Sequence, residues 1–222
     1  MAVPSALTAQ TTRGVHRTLP AFPDAVREQI TLLVADLRPS IVKLGMLATD
    51  DILLSVANAL ERWELPRVVD PVLRASDGAY LLERRAWENL CERLIRGATL
   101  VTPNLDEAEA LTGERDPLRA AGLFRQMGAR AVLVKGGHAD GAPDDLLVDS
   151  EGITWLRGTR CSAQPHGTGC ALSAAIAARL ARGEPLRQAA AQAKEWLTHA
   201  IAASFDAGSG RPLLGLHACA RA

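Results

Sequence analysis

QPHGTGCALSAAIAARLA, residues 164–181, runs from a polar turn with two glycines directly into an alanine-rich helix. The first N–H groups of a helix lack partners and carry partial positive charge, so glycines just ahead of them let an anion come close. Cys170 stands where the turn becomes the helix. A thiol there is open to three readings: simple packing, a pKa lowered by the helix end, or a neighbour of a bound anion that does not react. A Gly-x-Gly turn before a helix is also a common loop, and the chain on either side decides what this one is.

Working upstream, short apolar runs alternate with helical patterns. IVKLGML (41–47) precedes TDDILLSVANALERW, which begins with capping residues. RVVDPVL precedes LLERRAWENLCERLI, ATLVTPN precedes LDEAEALTG, and PLRAAGLFRQMG precedes AVLVKGG. FPDAVREQITLLVADL places Val26, Ile30 and Leu33 on one helix face, with Pro23 near its front. Continuous apolar strands separated by helices predict an α/β fold, a mostly parallel sheet covered on both faces. DDLLVDSEGITWLRG reads as an antiparallel edge hairpin turning at Ser-Glu-Gly. Downstream, EPLRQAAAQAKEWLTHAIAASF reads as a further helix, and the glycine-rich tail as irregular surface chain. No repeat, linker or boundary divides the sequence, so residues 1–222 are read as one domain.

With 25 basic and 25 acidic side chains among 222 residues and 48% hydrophobic content, the chain has enough apolar residues for a proper core and no massed positive charge. A nucleic-acid partner is not expected. Cys91, Cys161, Cys170 and Cys219 form no close pair, the N-terminus has no signal-peptide pattern and no apolar run is long enough to span a membrane. A cytoplasmic protein is expected.

In open parallel sheets, ligands bind beyond the carboxyl ends of the strands. Asp70, Asn104 and Lys135 end three of the apolar runs, and Gly167, Thr168, Gly169 and Cys170 follow the hairpin. Lys135, followed by two glycines, can bring an ammonium to a phosphate, or be a surface lysine. Asn104 and Glu107, three apart, suit a ligand site or an N-cap with a first-turn acid. Asp70 and Glu107 suit Mg²⁺, which keeps several waters and takes one or two carboxylates; Asp70 before Pro71 is equally a turn former. His138 and His166 read as loop residues, and the four tryptophans as packing.

Together, KLGML, VVDPVL, TPNLDEAEAL, AVLVKGGH and HGTGCALSAAIAA, in this order, closely resemble the hydroxymethylpyrimidine phosphate kinases of thiamin biosynthesis, within the ribokinase-like superfamily. SALTAQTTRGV is similar to a further family segment, and the likeness runs from about residue 6 to 204. The resemblance implies a ribokinase-like three-layer α/β/α fold and phosphorylation of 4-amino-5-hydroxymethyl-2-methylpyrimidine, then of its monophosphate, by ATP with Mg²⁺. It implies that Gln10 and Met46 contact the pyrimidine, that Asn104 and Glu107 organise Mg²⁺ and phosphate, and that Lys135 contacts the transferring phosphates. Gly167, Thr168 and Gly169 would form the anion hole. Cys170 would stand where sugar kinases carry a catalytic aspartate, as base or as a neighbour that shapes the hole. A homodimer is implied as well. Relative to the family, the N-terminal strand and glycine-rich segment are expected to be missing. The alternatives are a non-catalytic nucleotide- or pyrimidine-binding protein of this fold and a pyridoxal kinase-like activity.

Overall fold

The structure, a computed structural model, describes residues 1–75, 77–136 and 142–219. Strands β3 (Val42–Leu44), β4 (Arg67–Val69), β5 (Leu100–Val101), β6 (Val132–Val134), β7 (Asp145–Asp149) and β8 (Gly152–Leu156) form one sheet in that order. The first four are parallel, and β7 and β8 run antiparallel at the edge, as the hairpin reading predicts. Successive side chains on a strand face opposite ways. Val69, Val101, Val132 and Val134 therefore share one core with Ile52, Leu53 and Val56 of α2 (Asp50–Leu60), Val26 of α1 (Pro23–Leu37) and Phe124 of α5 (Pro117–Gln126). Val68, Leu100, Leu133 and Leu147 face the other way, onto α6 (Thr168–Ala181) and α7 (Leu186–Ala202). Two helical layers thus enclose the sheet, giving the expected three-layer α/β/α arrangement.

Local signals set the helix ends. Pro23 occupies the first turn of α1 without costing a hydrogen bond, and the Thr49 side chain accepts from the N–H of Ile52 to start α2. Gly113 closes α4 (Leu105–Thr112) in the left-handed region at φ 77°, where glycine has no Cβ to strain. LLERRAWENLCERLI departs from a regular helix: a 3₁₀ turn (Arg84–Ala86) passes through α3 (Trp87–Asn89) into a π-helix (Leu90–Ile95). This winding still seals Ala86, Leu90, Leu94 and Ile95 into the core.

Residues 6–20, read from sequence as a polar lead, form an antiparallel hairpin of β1 (Ala6–Thr11) and β2 (Gly14–Pro20) outside the main sheet. Both its faces are largely exposed, so it carries no apolar alternation to reveal it. The hairpin is tied down at both ends. At its base, the Ser5 hydroxyl donates to the Met46 carbonyl at 2.6 Å. At its tip, the Thr12 carbonyl lies 3.0 Å from His166 Nε2 and accepts from the N–H of Arg211, while the Thr12 hydroxyl accepts from the N–H of Gly210.

Candidate active site

The C-terminal ends of β3 to β6 bring the charged residues together. Asp70 directly follows β4, its N–H donating to the Leu44 carbonyl of β3. Lys135 follows β6, bridges in parallel to Asn104 and donates its N–H to Pro103. The Lys135 ammonium lies 2.7 Å from Asp70 Oδ1 and 3.9 Å from Glu107 Oε2. Asp70 is almost wholly buried. Its Oδ1 also accepts from the Thr102 hydroxyl at 3.1 Å, and Oδ2 faces the Ser173 hydroxyl of α6 at 3.1 Å and Lys43 Nζ at 3.9 Å. Both carboxylate oxygens are thereby occupied by donors of the protein itself. Burial alone would raise the Asp70 pKa, but Lys135 and then Lys43 outweigh it and hold the carboxyl below its ordinary range.

Glu107 sits in the first turn of α4 in a reciprocal capping box with Asn104, each side chain bonding the other's backbone N–H at 2.8 Å. Burial pushes its pKa up to about 7, with Lys135 opposing and the Asp70 charge adding. Burial works against the Lys135 charge, yet Asp70 and Glu107 overcome it and raise that pKa. Asn104 thus fills the capping role weighed from sequence, and the cap aims Glu107 at Lys135.

Gly167, at φ 78°, is the N-cap of α6 and turns the chain so that the N–H groups of Thr168, Gly169 and Cys170 open the helix without acceptors among the described residues. At Gly169 an added Cβ would come within 3.0 Å of Lys135 Nζ, so the glycine lets that ammonium close on the helix start. Cys170 reaches solvent, yet its thiol bonds the Asp70 carboxylate and feels the charge of both lysines. Burial, then the Asp70 charge, raise its pKa; Lys43 and Lys135 oppose without reversing the direction. Its exposure limits the size of that rise. Burial and Asp70 thus disfavour the thiolate that a helix start by itself would favour.

The pyrimidine-contact candidates lie on β1 and just beyond β3. Met46 lies two residues beyond β3 on the same sheet edge as Asp70, its carbonyl holding Ser5. Gln10 lies on β1, between the anchor at Ser5 and the one at Thr12, and its Oε1 accepts from Thr8 at 3.2 Å. The Lys135 segment continues as Gly136, whose N–H donates to Asp145 at 2.9 Å; His138 and the second glycine, Gly137, lie outside the described residues. A Cβ on Gly136 would overlap the Asp144 carbonyl oxygen. Gly136→Ala is expected to cost roughly 1–3 kcal/mol by overpacking and to lower the melting temperature by several degrees, read by calorimetry. An unchanged melting temperature would show that the turn after Lys135 yields freely.

Three contributors were not singled out from the sequence: Lys43, Thr102 and Ser173. Lys43 carried a signal, a charge inside an otherwise apolar strand. Thr102 and Ser173 carried none, because a lone hydroxyl acquires a role only from what faces it. Among the described residues no cluster of three or more His, Cys, Asp or Glu side chains could hold a metal ion by itself, and no helix is long and apolar enough to cross a membrane.

The sequence profile described as phosphomethylpyrimidine kinase matches residues 1–214. The chain is 42% identical over 216 residues to the hydroxymethylpyrimidine/phosphomethylpyrimidine kinase of Streptomyces coelicolor, covering 95% of this chain and 80% of that protein. Among solved structures, the phosphomethylpyrimidine kinase of Clostridium difficile superposes with a TM-score of 0.80 at 35% identity, over 90% of this chain and 86% of that one. The pyridoxal kinase of Staphylococcus aureus in complex with AMP-PCP superposes with a TM-score of 0.87 at 28% identity, over 99% and 83%.

Proposed function

Because the chain belongs to the phosphomethylpyrimidine kinase family, we propose that it uses ATP to phosphorylate 4-amino-5-hydroxymethyl-2-methylpyrimidine and then the resulting monophosphate, for thiamin biosynthesis. The fold is ribokinase-like. The observation that carries the reading is the meeting of Lys135, Asp70 and Glu107 beneath the open N–H groups of α6. Phosphoryl transfer asks for positioning and charge neutralisation more than for covalent chemistry, and this cluster supplies both.

In this reading Gly167, Thr168 and Gly169 hold the transferring phosphate by backbone N–H groups, and Lys135, fixed by Asp70, adds permanent positive charge. Cys170 takes the proton of the hydroxymethyl group in its thiolate form, a minor species but a strong base once formed. Gln10 and Met46 orient the pyrimidine ring. Magnesium fits the residues present if it is held mainly by the nucleotide and water, with Glu107 as the protein carboxylate. Asp70, proposed from sequence as a second ligand, is better suited to fixing the two lysines, since both its oxygens already face donors. The metal would supply charge neutralisation on the phosphates. The family resemblance further implies a homodimer, to be measured by sedimentation.

The test is ADP release by purified protein given ATP, Mg²⁺ and the hydroxymethylpyrimidine, with phosphorylated pyrimidine identified by mass spectrometry. Removing Mg²⁺ with a chelator is expected to stop ADP release and adding it back to restore it; turnover in chelator would exclude the metal role. Pyridoxal in place of the pyrimidine tests the second reading, which the pyridoxal kinase neighbour favours. Faster turnover of pyridoxal would replace the substrate proposed here, and nucleotide binding without turnover of either would favour a binding protein.

A further inference from the structure

If the chain catalyses both phosphorylations, as proposed above, the two reactions place different demands on one site, and the role assigned below to Lys43 rests on that function. In the first, the acceptor is a neutral hydroxymethyl oxygen. It bonds to the γ-phosphorus, the bond from that phosphorus to the β–γ bridging oxygen breaks, ADP leaves with the electron pair, and the hydroxyl proton must go to a base. In the second, the same bond breaks, but the acceptor is an oxygen of the monophosphate, which carries between one and two negative charges at neutral pH and already has an unprotonated oxygen to attack with. No base is needed. The difficulty is the approach of two anions, and positive charge beside the acceptor relieves it.

The site holds two lysines that are not equivalent. Lys135 is committed: Asp70 lies at 2.7 Å, Glu107 at 3.9 Å, and its side chain is 12% exposed. Lys43 is not. Among the described residues its ammonium has one ion-pair partner, Asp70 Oδ2, at 3.9 Å, beyond hydrogen-bonding distance, and it donates no hydrogen bond. Its side chain is 23% exposed, and its nitrogen is not sealed from solvent as an unpaired buried atom. The ammonium lies over Gly45, where an added Cβ would be 2.5 Å from Nζ, in the segment leading to Met46. An ammonium with three unspent donors therefore sits beside the Asp70 carboxylate and over the segment that leads to the proposed pyrimidine contact, Met46.

We propose that Lys43 is the specificity-determining residue for the second phosphorylation, donating from its ammonium to the phosphate of the acceptor while Lys135 remains paired with Asp70. The plainer role for Lys43, balancing the buried charge of Asp70, would serve both steps equally. The two roles are separable because only the first distinguishes the acceptors.

The experiment uses the full chain as wild type, Lys43→Met and Lys43→Arg, and measures kcat/KM for the hydroxymethylpyrimidine and for its monophosphate as separate substrates. For Lys43→Met, the loss of a charged hydrogen bond is expected to lower the monophosphate reaction roughly ten- to a hundredfold, with a much smaller loss on the hydroxymethyl substrate. Lys43→Arg should recover most of the monophosphate reaction. Calorimetry with non-reacting mixtures lacking ATP gives a readout independent of turnover: the wild type should bind the monophosphate more tightly than the alcohol, and Lys43→Met should lose that preference. Equal losses in both reactions, an unaffected monophosphate reaction, or a preference retained by Lys43→Met would each overturn the proposal. Absence of turnover in the wild type would instead count against the proposed function, and the binding comparison would still decide the role of Lys43.

Discussion

Replacing Asp70 with alanine is expected to remove at least a hundredfold of activity and to cost roughly 3–5 kcal/mol of stability, the range for breaking a buried ion pair by deleting one partner. The carboxylate faces Lys135, Lys43, Thr102 and Ser173 together. Without it, Lys135 is left buried with Glu107 at 3.9 Å as its one ion-pair partner among the described residues, and Glu107 is itself disfavoured as a charge by burial. At about 2–4 °C per kcal/mol for a chain of this size, the melting temperature should fall by roughly 6–20 °C. Asp70→Asn keeps the shape but not the charge, and should also lose activity while melting closer to the wild type. Thermal unfolding and ADP release on the same preparations check both statements. A stable and active Asp70→Ala protein would mean that the two lysines do not depend on this carboxylate.

Replacing Cys170 with serine should lower the hydroxymethyl reaction roughly 10²–10⁴-fold, the contribution of a positioned proton acceptor. The reaction of the monophosphate, which needs no base, should fall far less. The thiol pKa lies above its ordinary value, with burial the first cause and Asp70 the second. Because the active form is the thiolate and the thiol dominates at pH 7, the wild-type rate should climb with pH until it passes the raised pKa. Serine, with no accessible ionisation in that range, should flatten the climb. A serine variant with a near-normal rate and the same pH profile would leave Cys170 as a residue that only shapes the anion hole.

The sheet could be read from sequence because its strands are continuous apolar runs buried on both faces. RVVD, ATLV and AVLV each reappear as a strand with a polar residue just past its end, and the Ser-Glu-Gly turn reappears between β7 and β8. The β1–β2 hairpin escaped because neither of its faces is buried, so its order comes from a few distant tethers instead of an apolar pattern. The site was legible as residue types: a carboxylate, an amide, a lysine and a glycine turn at strand ends. Their division of labour was not. Asp70 read as a metal ligand or a turn former, and its contacts with Thr102, Ser173 and two lysines come from segments far apart in the chain, which no local pattern reveals. The Cys170 thiol read as packing, as acidified by the helix end or as an inert neighbour of an anion, and burial, then the Asp70 charge, shift it away from the acidified reading.

The tip of the hairpin is fastened by partners that are made late. His166 lies 154 positions after Thr12, and Gly210 lies 198 positions after it. During synthesis, β1 and β2 can pair with each other soon after both have emerged, since their turn is local. The tip nevertheless lacks its full set of tethers until Gly210 has been added, which at about 5–20 residues per second is a wait of roughly ten to forty seconds. Once β8 has been made, the nascent chain can complete its sheet while the hairpin tip still lacks its later tethers, so the hairpin is fixed in place after the sheet it flanks.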